Sequence, residues 1–151
     1  MREKLAALRR LGAVYEMVEK MYSIEARKAY GAVLEAHSAI LAEEARTHEA
    51  RTGGREALLM EDQTGRSLAV LHEYIADRRK KQLEPILEER EEIRDLAQQR
   101  YLASRLWRTR IKSIVDKASE RMVAENERRS QATEDDRFLA RRTWIRNRVK
   151  M

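Results

Sequence analysis

The sequence contains no cysteine, one proline and five glycines among its 151 residues. Without cysteine, disulfide bonds and thiolate metal sites are excluded. Because glycine and proline are scarce, there are few places where a helix must end. Aromatic residues make up only 5% of the chain, so any hydrophobic core is thin and we expect modest stability.

Long apolar runs are missing too. No stretch approaches the roughly 18 consecutive apolar residues that a membrane-spanning helix needs. Arg9, Arg10, Glu16 and Glu19 interrupt the first twenty residues, which therefore lack the apolar region of a secretory signal. We expect a cytoplasmic protein.

In their place the chain has charge and a heptad pattern. Charged residues reach 38% of the composition, and from Leu8 onward apolar residues recur in alternating steps of three and four, the spacing of knobs-into-holes packing. Glu25 is the single polar interruption. We predict a first helix over residues 2–50. Its predicted seam is Leu8, Leu11, Tyr15, Val18, Tyr22, Ala29, Ala32, Ala36 and Ala39.

A turn is predicted over residues 51–66, where Gly53–Gly54 and Gly65 act as breakers. Adjacent glycines inside a helix cost roughly 2 kcal/mol together, so a turn is the cheaper arrangement. Ser67 is the expected N-cap of a second helix.

The second helix is predicted over residues 67–150, with a patchier seam interrupted by Arg90 and Arg100. The seam residues are Ile86, Ile93, Ala97, Ser104, Trp107, Ile111, Ile114 and Ala118. Pro85 predicts a kink in this helix. Alternatively it marks the true start of the helix, with the turn at 82–85 and helix one reaching about Lys81. The predicted fold is all-α: one long two-helix antiparallel coiled-coil hairpin over residues 1–151.

Side-chain patterns typical of catalysis are absent from the sequence. His37, His48 and His72 have no metal-ligand spacing, and Gly53–Gly54 is not followed by the residues of a phosphate loop. The carboxylates of 88–92 and 134–136 resemble acid/base pairs, but a two-helix hairpin offers no cleft that would shift their pKa values. We expect a protein that is not an enzyme and needs no cofactor or metal.

The strongest local signal is the last segment, RFLARRTWIRNRVKM (137–151), with six basic residues and no acidic one. The whole chain has 32 Lys and Arg against 26 Asp and Glu, so residues 1–136 carry no net charge. Cations match a helix C-terminus, but that effect ends within the last turn. Two explanations remain open: a nucleic acid or anionic membrane surface, and an acidic or clefted protein partner that takes arginine and tryptophan as anchors, which the residues favour modestly.

Three stretches then carry a family resemblance: LHEYIADRRKKQLEPILEEREEIRDLAQQR (71–100), RLWRTR (105–110) and ENERRSQATEDDRFLARR (125–142). Together with a first helix of some fifty residues and a much longer second one, they resemble the FliJ/YscO-type central stalk proteins of flagellar and virulence type III secretion. The likeness spans nearly the whole chain, although each stretch is coiled-coil sequence of low specificity.

The resemblance implies a stalk protein of the export apparatus, similar to the γ stalk of rotary ATPases. Its paired helix ends would insert in the pore of the secretion ATPase hexamer, and its tip would face the cytoplasmic domain of the export gate. Some members also bind export chaperones, and we expect a monomer when free. Carried onto this chain, the ATPase-facing end comprises Arg9, Arg10, Arg141, Arg142, Trp144 and Arg146. The tip facing the export gate comprises Ile40, Leu41, Glu44, Tyr74 and Ile75.

Overall fold

A computed structural model describes residues 1–149, which form two long helices packed against each other. Helix α1 is Arg2–Leu59 and helix α2 is Gln63–Val149. The all-α helical hairpin is therefore confirmed. The predicted end of helix two at residue 150, with Lys150 and Met151, lies outside the described residues.

The connection is only Met60–Asp62, because the C-terminal capping motif of α1 is followed directly by the N-cap of α2. Glu61 adopts the left-handed conformation with φ 57°. The Asp62 amide donates to the Ala57 carbonyl at 2.9 Å and the Glu61 amide to Leu58 at 3.3 Å, which is the Schellman pattern. The Asp62 side chain then accepts the Gly65 amide at 3.0 Å. Asp62 is thus the N-cap of α2, and the predicted N-cap Ser67 was wrong.

The predicted end of helix one at residue 50 was also wrong, since α1 continues through Gly53 and Gly54. Packing against α2 provides the physical reason. A Cβ on Gly54 would lie 3.3 Å from Cβ of Ala69, so the missing side chain lets the two backbones approach closely. That contact offsets the low helix propensity of glycine.

Pro85 lies inside α2, which runs without a break from Gln63. The alternative turn at 82–85 was therefore wrong. Pro85 and Lys81 are both exposed. Because proline has no amide hydrogen, the Lys81 carbonyl lacks its helical hydrogen-bond donor. Water can reach this carbonyl and donate to it instead.

Buried and half-buried residues of α1 follow an unbroken sequence of three- and four-residue steps. These seam residues are Leu5, Leu8, Gly12, Tyr15, Glu19, Tyr22, Ala26, Ala29, Val33, Ala36, Ile40, Glu43, Thr47, Ala50, Gly54 and Ala57. The observed seam coincides with the predicted one at every other position. At the positions between, it lies one residue later in the sequence, for example at Ala26 instead of Glu25 and at Val33 instead of Ala32. The apparent polar interruption at Glu25 disappears, because Glu25 points away from α2.

The seam of α2 has the same spacing but contains more charge. It comprises Ala69, Glu73, Ala76, Lys80, Leu83, Leu87, Arg90, Arg94, Ala97, Tyr101, Ser104, Arg108, Ile111, Val115, Ala118, Met122 and Glu125. Of these, Arg108 is exposed and the rest are buried or half-buried. Arg90 was expected as an interruption; its guanidinium donates to the Ala32 carbonyl of α1 at 2.8 Å and lies 3.7 Å from Glu35.

The chain divides into two compact units, each built from both helices. The first pairs residues 1–18 with α2 from Arg105 onward, and its buried apolar residues are Leu5 and Ile111. The second comprises Glu19–Ser104 and includes the turn. Its buried apolar residues are Ala29, Val33, Ala36, Ile40, Ala76 and Ala97.

Candidate functional site

The most distinctive surface of the first unit is the end of α2, which continues beyond the start of α1. Met1 and Arg2 lie beside Met122 and Arg129. From Asn126 to Val149 every residue is helical and exposed. We call residues 126–149 the C-terminal extension. Because every residue of the extension is exposed, its side chains are available to a partner.

Within the extension, residues 137–149 form the basic segment. It carries five arginines and no acidic residue. Phe138, Ile145 and Val149 are 57–81% exposed, and at helical spacing they form one narrow apolar stripe. The guanidinium of Arg148 lies over the Trp144 ring, 4.7 Å from its centroid. A helix with an apolar stripe bordered by arginines fits a groove with acidic rims.

Internal contacts support the helix without covering it. Arg129 donates to Glu125, four residues earlier, at 3.0 Å. The hydroxyls of Thr133 and Thr143 donate to backbone carbonyls four residues earlier. The exposed Arg129–Glu125 pair is worth only a few tenths of a kcal/mol, and hydroxyl bonds to the carbonyl four residues earlier do not stabilise a helix, so the extension is the least supported part of α2.

The predicted ATPase-facing end does not form one patch. Arg9 lines a shallow groove with Arg2, Leu5 and Met122, and on another side it lies near Arg108 and Lys112. Arg141 is nineteen residues beyond Met122 on the same helix, roughly 28 Å along its axis. The structure therefore brings Arg141, Arg142, Trp144 and Arg146 together on the basic segment and leaves Arg9 and Arg10 apart from them.

The predicted tip residues lie in the second unit, several turns from the connection. Ile40, Leu41 and Glu44 precede Met60 by sixteen to twenty residues, roughly 24–30 Å along α1. They were misplaced because α1 extends beyond its predicted end. Ile40 is a seam residue, only 9% exposed, so it faces α2 and is unavailable to a partner.

The other predicted tip residues are at the surface. Leu41 is 53% and Tyr74 61% exposed, and Ile75 is partly exposed. Glu44 accepts a contact from the Lys80 ammonium at 2.9 Å. This hydrogen bond, followed by the attraction of the charge, raises the pKa of Lys80 above its ordinary 10.5. Glu44 of α1 and Lys80 of α2 therefore form an ion pair between the two helices.

A groove beside the turn, which the sequence did not suggest, has the properties of a binding site. It encloses about 580 Å³, and we call it the tip groove. Its floor is made of small residues such as Ala50, Gly53 and Ala57. Leu68 and Ile75 add apolar surface. The charged residues that line it are Glu43, Arg46, Glu49, Glu56, Asp62 and Arg79.

Glu43 is the unusual member of the tip groove. Its side chain is 9% exposed and it occupies a seam position. One carboxylate oxygen accepts a hydrogen bond from Arg46, while Oε2 is buried and makes no hydrogen bond to any described residue. An unpaired buried acceptor costs about 1–3 kcal/mol. Only the fold reveals it, because Glu43 looks like any other acidic residue of a charged helix.

Among the described residues, no three histidine, cysteine or acidic side chains are grouped so as to hold a metal ion. None of the helices within residues 1–149 has the length and apolar character to cross a membrane. A scan of protein-family models, a search of curated proteins and a search of solved structures each give no match to this chain.

Proposed function

We propose that this chain is a non-enzymatic stalk and adaptor of a bacterial type III secretion apparatus, flagellar or host-directed. In this proposal it inserts in the secretion ATPase hexamer and connects it with the export gate and with export chaperones. The proposal combines the family resemblance of the sequence with the helical hairpin, which is the architecture that such a stalk requires.

The C-terminal extension carries the proposal. The extension has twenty-four exposed helical residues. A helix without tertiary packing has little stability of its own, so a bound partner would stabilise this one. Arginine and tryptophan are the residues that most often dominate binding energy at protein interfaces. The extension is therefore the part of the chain suited to enter a ring of subunits.

Charge distribution supports the same assignment. Residues 1–136 have no net charge, and the excess of six lies in 137–151. A neutral body with one basic end favours fast, oriented docking on an acidic or polar surface. Arg9 and Arg10 would contact the ring as a separate patch. Leu41, Tyr74 and Ile75 are accessible several turns from the connection, so they would contact the gate along the side of the hairpin and not at its tip, whereas Ile40 would support them from the seam.

The test is ATP turnover of the cognate secretion ATPase with and without the full chain. We expect stimulation with saturation at one chain per hexamer. A variant ending at Asp136 should bind and stimulate at least about tenfold more weakly, because it loses the arginine and tryptophan anchors.

A charge-reversal pair gives the finer test. Arg141→Glu with Arg146→Glu should abolish stimulation, while the matched pair Arg27→Glu with Lys28→Glu, on exposed positions of α1, should leave it unchanged. Full stimulation by the first pair would rule out the basic segment as the ATPase contact. No stimulation by the full chain would reject the stalk proposal itself.

The same exposed stripe and arginines also suit an anionic surface, which makes nucleic acid or an anionic membrane the second candidate. A nucleic-acid complex loses affinity linearly in the logarithm of salt concentration, with a slope set by the phosphates contacted. Binding to RNA or to phosphatidylserine vesicles, combined with no effect on the ATPase, would favour this alternative.

A further inference from the structure

The tip groove calls for an occupant that donates hydrogen bonds. Four acidic residues line it, Glu43, Glu49, Glu56 and Asp62, against the two arginines Arg46 and Arg79. Of these, Glu49 and Glu56 are exposed. Their carboxylates are therefore accessible to a charged donor such as a guanidinium.

The groove is also long enough for a helix to lie along it. Its α1 side extends from Glu43 to Met60, which is roughly 25 Å of helix. Gly53 contributes no side chain there, and nothing lies within 4 Å of where its Cβ would be. Small residues in the floor and apolar residues on one wall are the features of helix-in-groove recognition.

The chain itself carries a helix of matching chemistry. The basic segment has five arginines and no acidic residue. Thirteen residues measure roughly 20 Å, which fits the groove. Its stripe of Phe138, Ile145 and Val149 has Arg141 on one side and Arg142 on the other at helical spacing. The apolar stripe would lie on the small floor residues, and the arginines would reach the carboxylates.

We propose that the basic segment of one molecule docks in the tip groove of a second copy of this chain, with its arginines pairing with the exposed carboxylates of Glu49 and Glu56. The donor comes from a second copy because residues 65–79 of the groove and the basic segment belong to one continuous helix. The inference does not depend on the proposed function.

This contact joins two different surfaces, so each molecule keeps one free groove and one free basic segment. Such heterologous association grows open-ended instead of closing at a dimer. The chain is then a monomer when dilute and lengthens as its concentration rises. In the associated form the basic segments are occupied, and binding of any other partner to them is blocked.

Sedimentation of the full chain over a range of concentrations tests the proposal. We expect the average mass to rise without a plateau at the dimer, and to fall back to the monomer when salt is added because the contact is ionic. A mass that stays at the monomer throughout, or a plateau at twice the monomer mass, would overturn the proposal.

Two disabled variants make the test sharper. A groove variant, Glu49→Arg with Glu56→Arg, and a basic-segment variant, Arg142→Gln with Arg146→Gln, should each remain monomeric. A mixture of the two should form a closed one-to-one complex, because the intact groove of one variant meets the intact basic segment of the other. The absence of that complex would contradict head-to-tail docking.

The matched control is Glu88→Arg with Glu92→Arg, an equal charge change at exposed positions outside the groove, which should associate as the unaltered chain does. Glu49→Gln with Glu56→Gln keeps the size of both exposed side chains and should weaken association about tenfold, because it removes two charge pairs. This pair of substitutions hardly perturbs the fold, so it decides the matter if the charge-reversal variants lose helicity. Normal association of this variant would refute the role of the two carboxylates.

The self-association of the chain can be tested separately from its proposed effect on the ATPase. The groove variant leaves the basic segment intact, so at dilute concentration it should stimulate the ATPase normally. A synthetic peptide of residues 137–149 should dissolve the assemblies of the full chain. A peptide that leaves them intact would show that another surface holds the copies together.

Discussion

Tyr15 of α1 stacks against Trp107 of α2, with ring centroids 6.5 Å apart and planes inclined by 25°. Tyr15 is a seam residue, while Trp107 lies one position before the seam and is 49% exposed. Arg110 covers the indole at 5.3 Å. The pair therefore seals one edge of the first unit, where few apolar residues are buried.

We expect a double-mutant cycle of Tyr15→Ala and Trp107→Ala to give a coupling free energy of about 0.5–1.5 kcal/mol, the range of aromatic pairs. Urea unfolding followed by circular dichroism measures it. Zero coupling would mean that the two rings contribute independently. In a Trp144→Phe background, fluorescence reports on Trp107 alone, and Tyr15→Ala should shift its emission to the red.

Substitution by alanine at Gly53 and at Gly65 should change the free energy of unfolding in opposite directions. At Gly53 there is open space, so Gly53→Ala should raise the free energy of unfolding by about 1 kcal/mol through helix propensity. At Gly65 the added Cβ would clash with the Asp62 carboxylate and lie 3.3 Å from Ala57. Gly65→Ala should therefore lower it by a similar amount or more, because the N-cap bond is disturbed.

Thermal melting of the two variants checks this difference. A gain at both positions would mean that the cap of α2 tolerates the methyl group. Glu61→Gly is a useful companion, since Glu61 holds a positive φ that glycine adopts without strain. It should raise stability by about 0.4–1 kcal/mol.

The Lys80–Glu44 contact predicts a pH dependence. Its hydrogen bond and charge raise the pKa of Lys80 in the folded state above the ordinary 10.5. A raised pKa means that the stabilisation is complete below pH 10.5 and is lost as the pH climbs through the folded-state pKa. The melting temperature of the unaltered chain should exceed that of Lys80→Met at pH 7, and the difference should shrink above pH 10.5.

Glu44→Gln serves as the partner variant, because it removes the same charge attraction. A difference between the unaltered chain and Lys80→Met that is constant from pH 7 to 11.5 would show that the lysine stem, and not its charge, makes the contribution. High salt should reduce the difference at pH 7, since the pair is at the surface.

Arg90 offers a test of pairing specificity. Its guanidinium bonds the Ala32 carbonyl at a seam position where an apolar residue would pack better. We expect Arg90→Leu to raise thermal stability, because a half-buried charge is replaced by apolar surface. We also expect it to permit parallel pairing of two chains, an arrangement in which Arg90 would otherwise face its own copy across the seam.

Chemical cross-linking and light scattering detect that pairing. A variant that becomes more stable and stays monomeric would show that Arg90 is not needed for specificity. Arg78→Leu, at an exposed position outside the seam, controls for the loss of positive charge.

Periodicity predicted the hairpin, because heptads persist over both helices. It did not predict the seam register: Leu11 and Gly12 both satisfy the spacing, and only the partner helix decides between them. A Cβ on Gly12 would sit 3.7 Å from Ile111, so the seam passes through a glycine that hydropathy would not select. The turn was misjudged for the same reason, since Gly54 is kept helical by Ala69.

Of the two candidate surfaces, one could be predicted from the sequence and the other could not. The basic segment was visible in the sequence because charge needs no fold to be counted. The tip groove was not, since it depends on Glu43 being turned inward and on Gly53 leaving space. Family position alone placed Ile40 at a tip, whereas the three-residue connection at Met60–Asp62 places it well inside α1.

The direct connection between the helices also bears on how the chain folds. Gly54 and Ala69, beside the turn, are 15 residues apart in sequence, whereas Gly12 and Ile111 are 99 apart. The entropy lost on closing a loop grows with the length of that loop, so contacts form in order outward from residues 60–62. The segment that must pair first is rich in glycine and alanine and gains little from burial. Folding therefore starts uphill and becomes favourable only when larger residues meet, so the folding barrier should lie after the first turns beside the connection have paired.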